Sequence, residues 1–171
     1  MRKLLTIVAL AVSLAASAQV RSYEDLETQT FVVGLSVYYF GDNGTLNLLP
    51  GVTVSVAEGR VAGGGQVLLA DAPAGNTLIG AHDFTDDGVP ELVVATRGNK
   101  VVKAQVYTLR GGVWSLVGTV GARGDVDGIR VFRQALTVKD RTSGTLYTWT
   151  CHGGRFDFKS SAGGPDPAAA L

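Results

Sequence analysis

The residues best suited to chemistry lie in one acidic stretch, Asp83-Phe84-Thr85-Asp86-Asp87-Gly88-Val89-Pro90-Glu91. Oxygen-bearing side chains recur at alternate positions (Asp83, Thr85, Asp87), a glycine follows, and a further carboxylate, Glu91, closes the series. In a tightly wound loop alternate residues point inward, and a hard cation such as Ca²⁺ takes roughly six to eight oxygen ligands. Gly88 permits the sharp turn, and the carbonyl of Val89 can add a neutral oxygen. Asp86 either adds a ligand or faces water, and His82 is a further polar neighbour. Carboxylates crowded this closely repel one another unless a positive charge sits among them. The loop holds no Lys or Arg, and the nearest, Arg97 and Lys100, lie beyond the following strand. The competing reading is a polar hairpin turn whose acids face solvent.

An EF-hand is excluded. It would need its bidentate Glu where Val94 stands, and a helix on each side. The segments flanking the loop, Thr77–His82 and Glu91–Ala95, are strand-like instead. The stretch Asp83 to Ala95 resembles the calcium loop of FG-GAP or VCBS-type repeats, in which a D-x-(D/N)-x-D-G-x-x-(D/E)-L pattern joins two strands of a propeller blade. It departs from that pattern at Thr85, which replaces Asp or Asn, and at Asp86, which replaces a common Gly. The resemblance implies calcium held by Asp83, Thr85, Asp87, Val89 and Glu91 on a non-catalytic scaffold. Gly124-Asp125-Val126-Asp127-Gly128 is expected to be a decayed second copy, since it lacks the closing carboxylate.

The elements that must position this loop read as short strands. Runs of β-branched and aromatic residues fall at 32–40, 52–57, 66–71, 76–82, 91–96, 101–109, 113–120, 129–138, 145–151 and 155–159, separated by Gly, Asn and Asp. Val52, Val54 and Val56 alternate with polar residues, as a half-buried strand requires. Val93-Val94-Ala95 is apolar on both faces and points to a central strand. Two stretches repeat the same order of strand, Gly-Gly turn and aromatic-led strand: Val106-Tyr107 to Trp114, and Leu146-Tyr147 to Phe156. Their spacing is about that of a four-stranded propeller blade. The expected fold is all-β, with antiparallel blade-like sheets resembling a partial β-propeller and a two-sheet β-sandwich as the alternative. The chain is too short for a closed propeller, so exposed edges would pair with another chain or be covered by the N-terminal segment.

The rest of the sequence bounds the function. Met1-Arg2-Lys3, an apolar run over 4–15 and Ala16-Ser17-Ala18 form the three parts of a signal peptide. The expected organisation is a signal peptide over 1–18, an N-terminal segment over 19–30, a β domain over 31–159 and a disordered tail over 160–171. That makes the protein secreted or periplasmic. The chain has 171 residues, with 15 basic and 15 acidic side chains. This balance argues against a nucleic-acid binder, and the apolar run is too short for a membrane span. Cys151 has no partner in the chain. Cys151 and His152, as strand neighbours, point to opposite faces and cannot act as a nucleophile–base pair. Arg123-Gly124-Asp125 reads as a polar loop. The expected function is a binding or adhesion module for a protein or carbohydrate, with a calcium-stabilised loop. The alternatives are a hydrolase using His82 with Asp83, Asp86 or Glu91, and a purely structural secreted protein.

Overall fold

The computed structural model describes residues 31–171. The expected signal peptide (1–18) and N-terminal segment (19–30) lie outside the described residues. Fourteen strands follow in order: β1 (Val32–Val33), β2 (Val37–Phe40), β3 (Gly44–Leu49), β4 (Val52–Ala57), β5 (Arg60–Gly63), β6 (Gln66–Leu69), β7 (Thr77–His82), β8 (Glu91–Gly98), β9 (Val101–Arg110), β10 (Val113–Arg123), β11 (Ile129–Phe132), β12 (Ala135–Lys139), β13 (Leu146–His152) and β14 (Arg155–Ser160). The fold is all-β, as the sequence pattern requires. None of its helical segments, among the described residues, is long and apolar enough to cross a membrane.

The strands form three open sheets, each built on a four-stranded antiparallel meander in chain order: β3–β6, β7–β10 and β11–β14. β2 extends the second sheet by pairing with β7, and β1 extends the third by lying parallel to β11. The turn between the third and fourth strands of every meander is a Gly-Gly pair with positive φ at both residues: Gly64-Gly65, Gly111-Gly112 and Gly153-Gly154. Such turns match the right-handed twist of the strands they join. The internal repeat visible at 106–114 and 146–156 therefore has a third member at the N-terminal end of the fold.

The three sheets stack as layers. One face of the second sheet, with Leu78, Val93, Ala104 and Val120, packs on Ile129, Leu136 and Trp149 of the third. Its other face, with Ile79, Leu92, Val94 and Trp114, packs on Val54, Val56 and Val61 of the first. β7 and β8 are consequently buried on both sides along most of their length, which accounts for the unbroken apolar run at 93–95. On the first sheet, Thr45, Asn47 and Thr53 face outward. On the third, Asp157 and Lys159 do so.

Several boundaries differ from the expected ones. The run 32–40 divides at Gly34, where φ is +95° and a Cβ would sit 2.1 Å from the Val131 carbonyl oxygen. Its two halves join different sheets. The run 129–138 is a hairpin, turning at Arg133 (φ +52°). The tail over 160–171 is ordered, contrary to expectation. Asp166 accepts a hydrogen bond from the indole Nε1 of buried Trp149 at 3.1 Å and caps a 3₁₀ turn over Pro167–Ala170. That turn lies against β10, with Ala168 joining the core cluster that holds Val120 and Ala122. Further along the same strand, the Gln66 side-chain amide accepts from the Trp114 N–H and donates to its carbonyl, both at 3.0 Å, as a neighbouring strand would. Part of the β10 edge is thus engaged within the chain.

Asp166→Ala leaves the Trp149 indole N–H buried without its acceptor and removes the cap. The expected loss is about 1–3 kcal/mol of unfolding free energy in a urea titration, accompanied by a red shift of the tryptophan emission.

Candidate functional site

The acidic loop joins β7 to β8 at one end of the central sheet, with His82 paired directly to Glu91 across the ladder. Asp83 closes it. Its Oδ2 accepts the Gly88 N–H at 2.7 Å and its Oδ1 accepts the Asp87 N–H at 3.3 Å. Gly88 has φ +83°, and Asp86 has φ +59° with its side chain exposed. Phe84 is fully buried and packs edge-on against Phe156, with ring centroids 5.9 Å apart. This aromatic anchor pins the loop to the core. Its signal in the sequence was an apolar residue set between acids, which the ligand pattern alone leaves unassigned.

Glu91 is the unusual member of the site. Its side chain is only 3% exposed, yet it carries a carboxylate. Oε2 accepts the Phe84 N–H at 2.8 Å, and Oε1 accepts the Thr85 hydroxyl at 3.2 Å. The same hydroxyl lies 3.5 Å from Asp83 Oδ1. Asp83, Thr85 and Glu91 therefore converge. Asp87 does not join them directly, because its Oδ1 accepts the Val89 N–H at 2.8 Å. The Val89 side chain is exposed, leaving its carbonyl as the only group it can offer. His82 is directed elsewhere: Nδ1 lies 3.0 Å from Ser36 Oγ, and Nε2 donates to the Arg133 carbonyl at 2.8 Å. It fastens the strand end to the β11–β12 hairpin and is not an extra ligand of the loop.

The charges of the loop are uncompensated. Burial, followed by the Asp83 and Asp87 charges, pushes the Glu91 carboxyl above its ordinary value, despite the hydrogen bonds from Phe84 and Thr85. For Asp83 burial is the largest single influence and raises the carboxyl, but the backbone N–H groups of Gly88, Asp87, Asp86 and Thr85 together outweigh it and hold the carboxyl below its ordinary value. The ion pairs among the described residues join Arg60 to Glu58 and Arg141 to Asp125 and Asp127, and none reaches this loop. Among the described residues no three His, Cys, Asp or Glu side chains are grouped closely enough to hold a metal ion as they stand. The chemistry of the donors still suits a hard cation, being oxygen throughout and negative in sum. Completing the set requires Asp87 to turn from the Val89 N–H.

The second acidic segment is solved differently. Residues 124–128 join the second meander to the third, whereas the loop at 83–90 joins the first two strands of its own meander, so the two are not topologically equivalent. There Arg141 Nε lies 2.6 Å from Asp127 Oδ1, and Nη1 lies 3.7 Å from Asp125 Oδ1. A guanidinium fills the role of a cation, and Asp125 of the Arg-Gly-Asp tripeptide is engaged by it. Cys151 is buried with its thiol pushed up by desolvation and then by the Glu91 charge, while His152 is exposed on the opposite face. A thiol so placed stays protonated.

The raised Glu91 carboxyl has a definite pH signature. Its contribution to stability is fully present below the ordinary value of 4.5 and is lost as pH rises through the higher folded-state value. Asp83 works in the opposite sense, its contribution being present above 3.8 and lost as pH falls through the lower folded-state value. In chelator, Glu91→Gln keeps an acceptor for the Phe84 N–H and removes the repulsion. The difference between wild-type and E91Q urea midpoints, measured against pH, should shift in favour of the variant as pH rises from 4.5 towards neutrality. A flat difference would show that Glu91 is already neutralised.

The chain matches no protein-family model, and no curated protein or solved structure matches it significantly, so the likeness of the loop to FG-GAP and VCBS repeats stands on its own dozen residues.

Proposed function

We propose that the protein is a secreted, non-catalytic binding module whose acidic loop is stiffened by a calcium ion. One observation carries the reading: a buried carboxylate, Glu91, converges with Asp83 on the Thr85 hydroxyl with no basic side chain among the described residues to balance it. Asp83, Thr85 and Glu91 would hold the ion, joined by the Asp87 carboxylate and the Val89 carbonyl, while exposed Asp86 faces solvent. When bound, the cation supplies charge neutralisation and rigidity. The chain's own residues do the rest. Asp83 winds the turn through the Gly88 and Asp87 N–H groups, and Phe84 anchors it to the core. The likeness to FG-GAP and VCBS repeats favours the same class, with a protein or carbohydrate as ligand. A hydrolytic reading needs a free base beside the acids, and both His82 nitrogens are already engaged by Ser36 and Arg133.

Thermal and urea unfolding of the protein in calcium and in chelator tests the reading. At a calcium concentration a hundred times the dissociation constant, a ligand specific for the folded state adds about 2.7 kcal/mol. Asp87→Ala and Glu91→Gln should each remove most of that gain. Identical wild-type curves in calcium and chelator would reject the calcium site.

A further inference from the structure

The far end of β8 carries the opposite charge. Six residues beyond Glu91, or about 20 Å along an extended strand, Arg97 opens a groove of roughly 430 Å³ between the β8–β9 turn and the segment joining β10 to β11. Lys100, Val101, Val126 and Asp125 line it as well. A smaller hollow of about 160 Å³ shares Arg97 and Asp127 with it and adds Arg130 and Arg141. Arg97 is held in place from two sides. Its backbone N–H donates to the Asn76 carbonyl at 3.0 Å, and its guanidinium lies 5.0 Å above the ring centroid of buried Phe31. Neither Arg97 nor Lys100 takes part in an ion pair among the described residues, because Asp125 and Asp127 are committed to Arg141. Burial, and then the charge of nearby Arg141, hold the Arg97 guanidinium below its ordinary value. Asp125 and Asp127 in the same walls are paired with Arg141, so Arg97 and Lys100 are the charges of the groove left without an ion-pair partner among the described residues.

We infer that this groove binds an acidic saccharide, with a uronate carboxylate received by Arg97 and Lys100. A planar guanidinium with its donors unpaired matches a carboxylate in a forked, two-bond geometry. Two features favour a hydroxyl-bearing monoanion over a phosphate. The Asp125 and Asp127 carboxylates in the same walls repel a dianion, and their oxygens can accept from sugar hydroxyls. The groove also has no helix N-terminus to supply the bundle of N–H groups on which phosphates commonly rest. An acidic peptide offers the same carboxylate but no neighbouring hydroxyls to donate to the Asp125 and Asp127 oxygens. Val101 and Val126 give the apolar face of a sugar ring a surface to lie against. The volume falls within the roughly 300–1,000 Å³ common for small-ligand sites.

Calorimetric titration of the intact protein with an oligoglucuronate, a neutral gluco-oligosaccharide and an oligoglutamate peptide, all in chelator, tests this site independently of the calcium loop. The oligoglucuronate should bind, with an affinity that falls as salt rises. Arg97→Gln should weaken it about tenfold or more, the loss expected for a charge-assisted hydrogen bond. Arg155→Gln, on the outer face of the third sheet, should leave it unchanged. Circular dichroism checks that each variant is folded, and Lys100→Gln supplies the loss in affinity if Arg97→Gln does not fold. Equal binding of the neutral sugar, peptide binding as tight as that of the uronate, equal losses in R97Q and R155Q, or no uronate binding at millimolar concentration would each overturn the proposal.

Discussion

A sheet covered on both faces can accept charge only at the ends of its strands, and the central sheet of this protein obeys that constraint closely. β7 and β8 run between two apolar layers, so a carboxylate or guanidinium midway along either would lie in a medium that opposes ionisation. The polar chemistry is accordingly displaced to the two ends of β8. Glu91 and the acidic loop occupy one end, and Arg97 with the β8–β9 turn occupies the other. Glu91 tests the limit of that rule. As the first residue of β8, it is already inside the stack.

Neutralising an acid at such a boundary has two solutions, and both are present. At 125–127 the counter-charge comes from the chain itself, since Arg141 from the neighbouring hairpin pairs with two aspartates. That neutralisation calls for no ion from outside. At 83–91 the aspartate oxygens are occupied by backbone N–H groups, which order the loop but leave its net charge untouched. A loop ordered in this way is held near its final shape before any cation arrives, so less conformational entropy is lost when one binds. On the proposed calcium reading, the same difference separates two acidic segments of similar appearance.

Much of the architecture was legible because it rests on local chemistry. Glycine pairs marked hairpins, alternation marked β4, and the run at 93–95 marked a strand buried on both sides. The misses have physical causes. β3 was missed although it alternates, with Thr45 and Asn47 outward and Leu46 and Leu48 buried, because it lies tightly between the Gly44 and Pro50-Gly51 turn signals. β5 is four residues long and ends in glycine, too short for a period to show. The order of the C-terminal tail depends on a contact between Asp166 and Trp149, seventeen residues apart, which composition cannot reveal. At the site, the ligand spacing predicted which oxygens would gather near Thr85. It could not tell that Asp87 turns to Val89, that Phe84 anchors the turn, or that His82 reaches Arg133. Each of those depends on what lies across the loop or on another sheet.

The position of the loop within the repeat adds a further argument. All three meanders share the same Gly-Gly turn between their third and fourth strands, yet they differ between the first and second. In the outer two, only residues 50–51 and 133–134 intervene, whereas in the central one the connection spans residues 83–90. A long loop on an outer sheet would be supported from one side only. On the central sheet it is supported from within the stack, where Phe84 inserts beside Phe156 of β14 and His82 reaches the β11–β12 hairpin. The elaborated loop sits on the one meander whose neighbours can hold it rigid, which is what a preorganised binding loop requires.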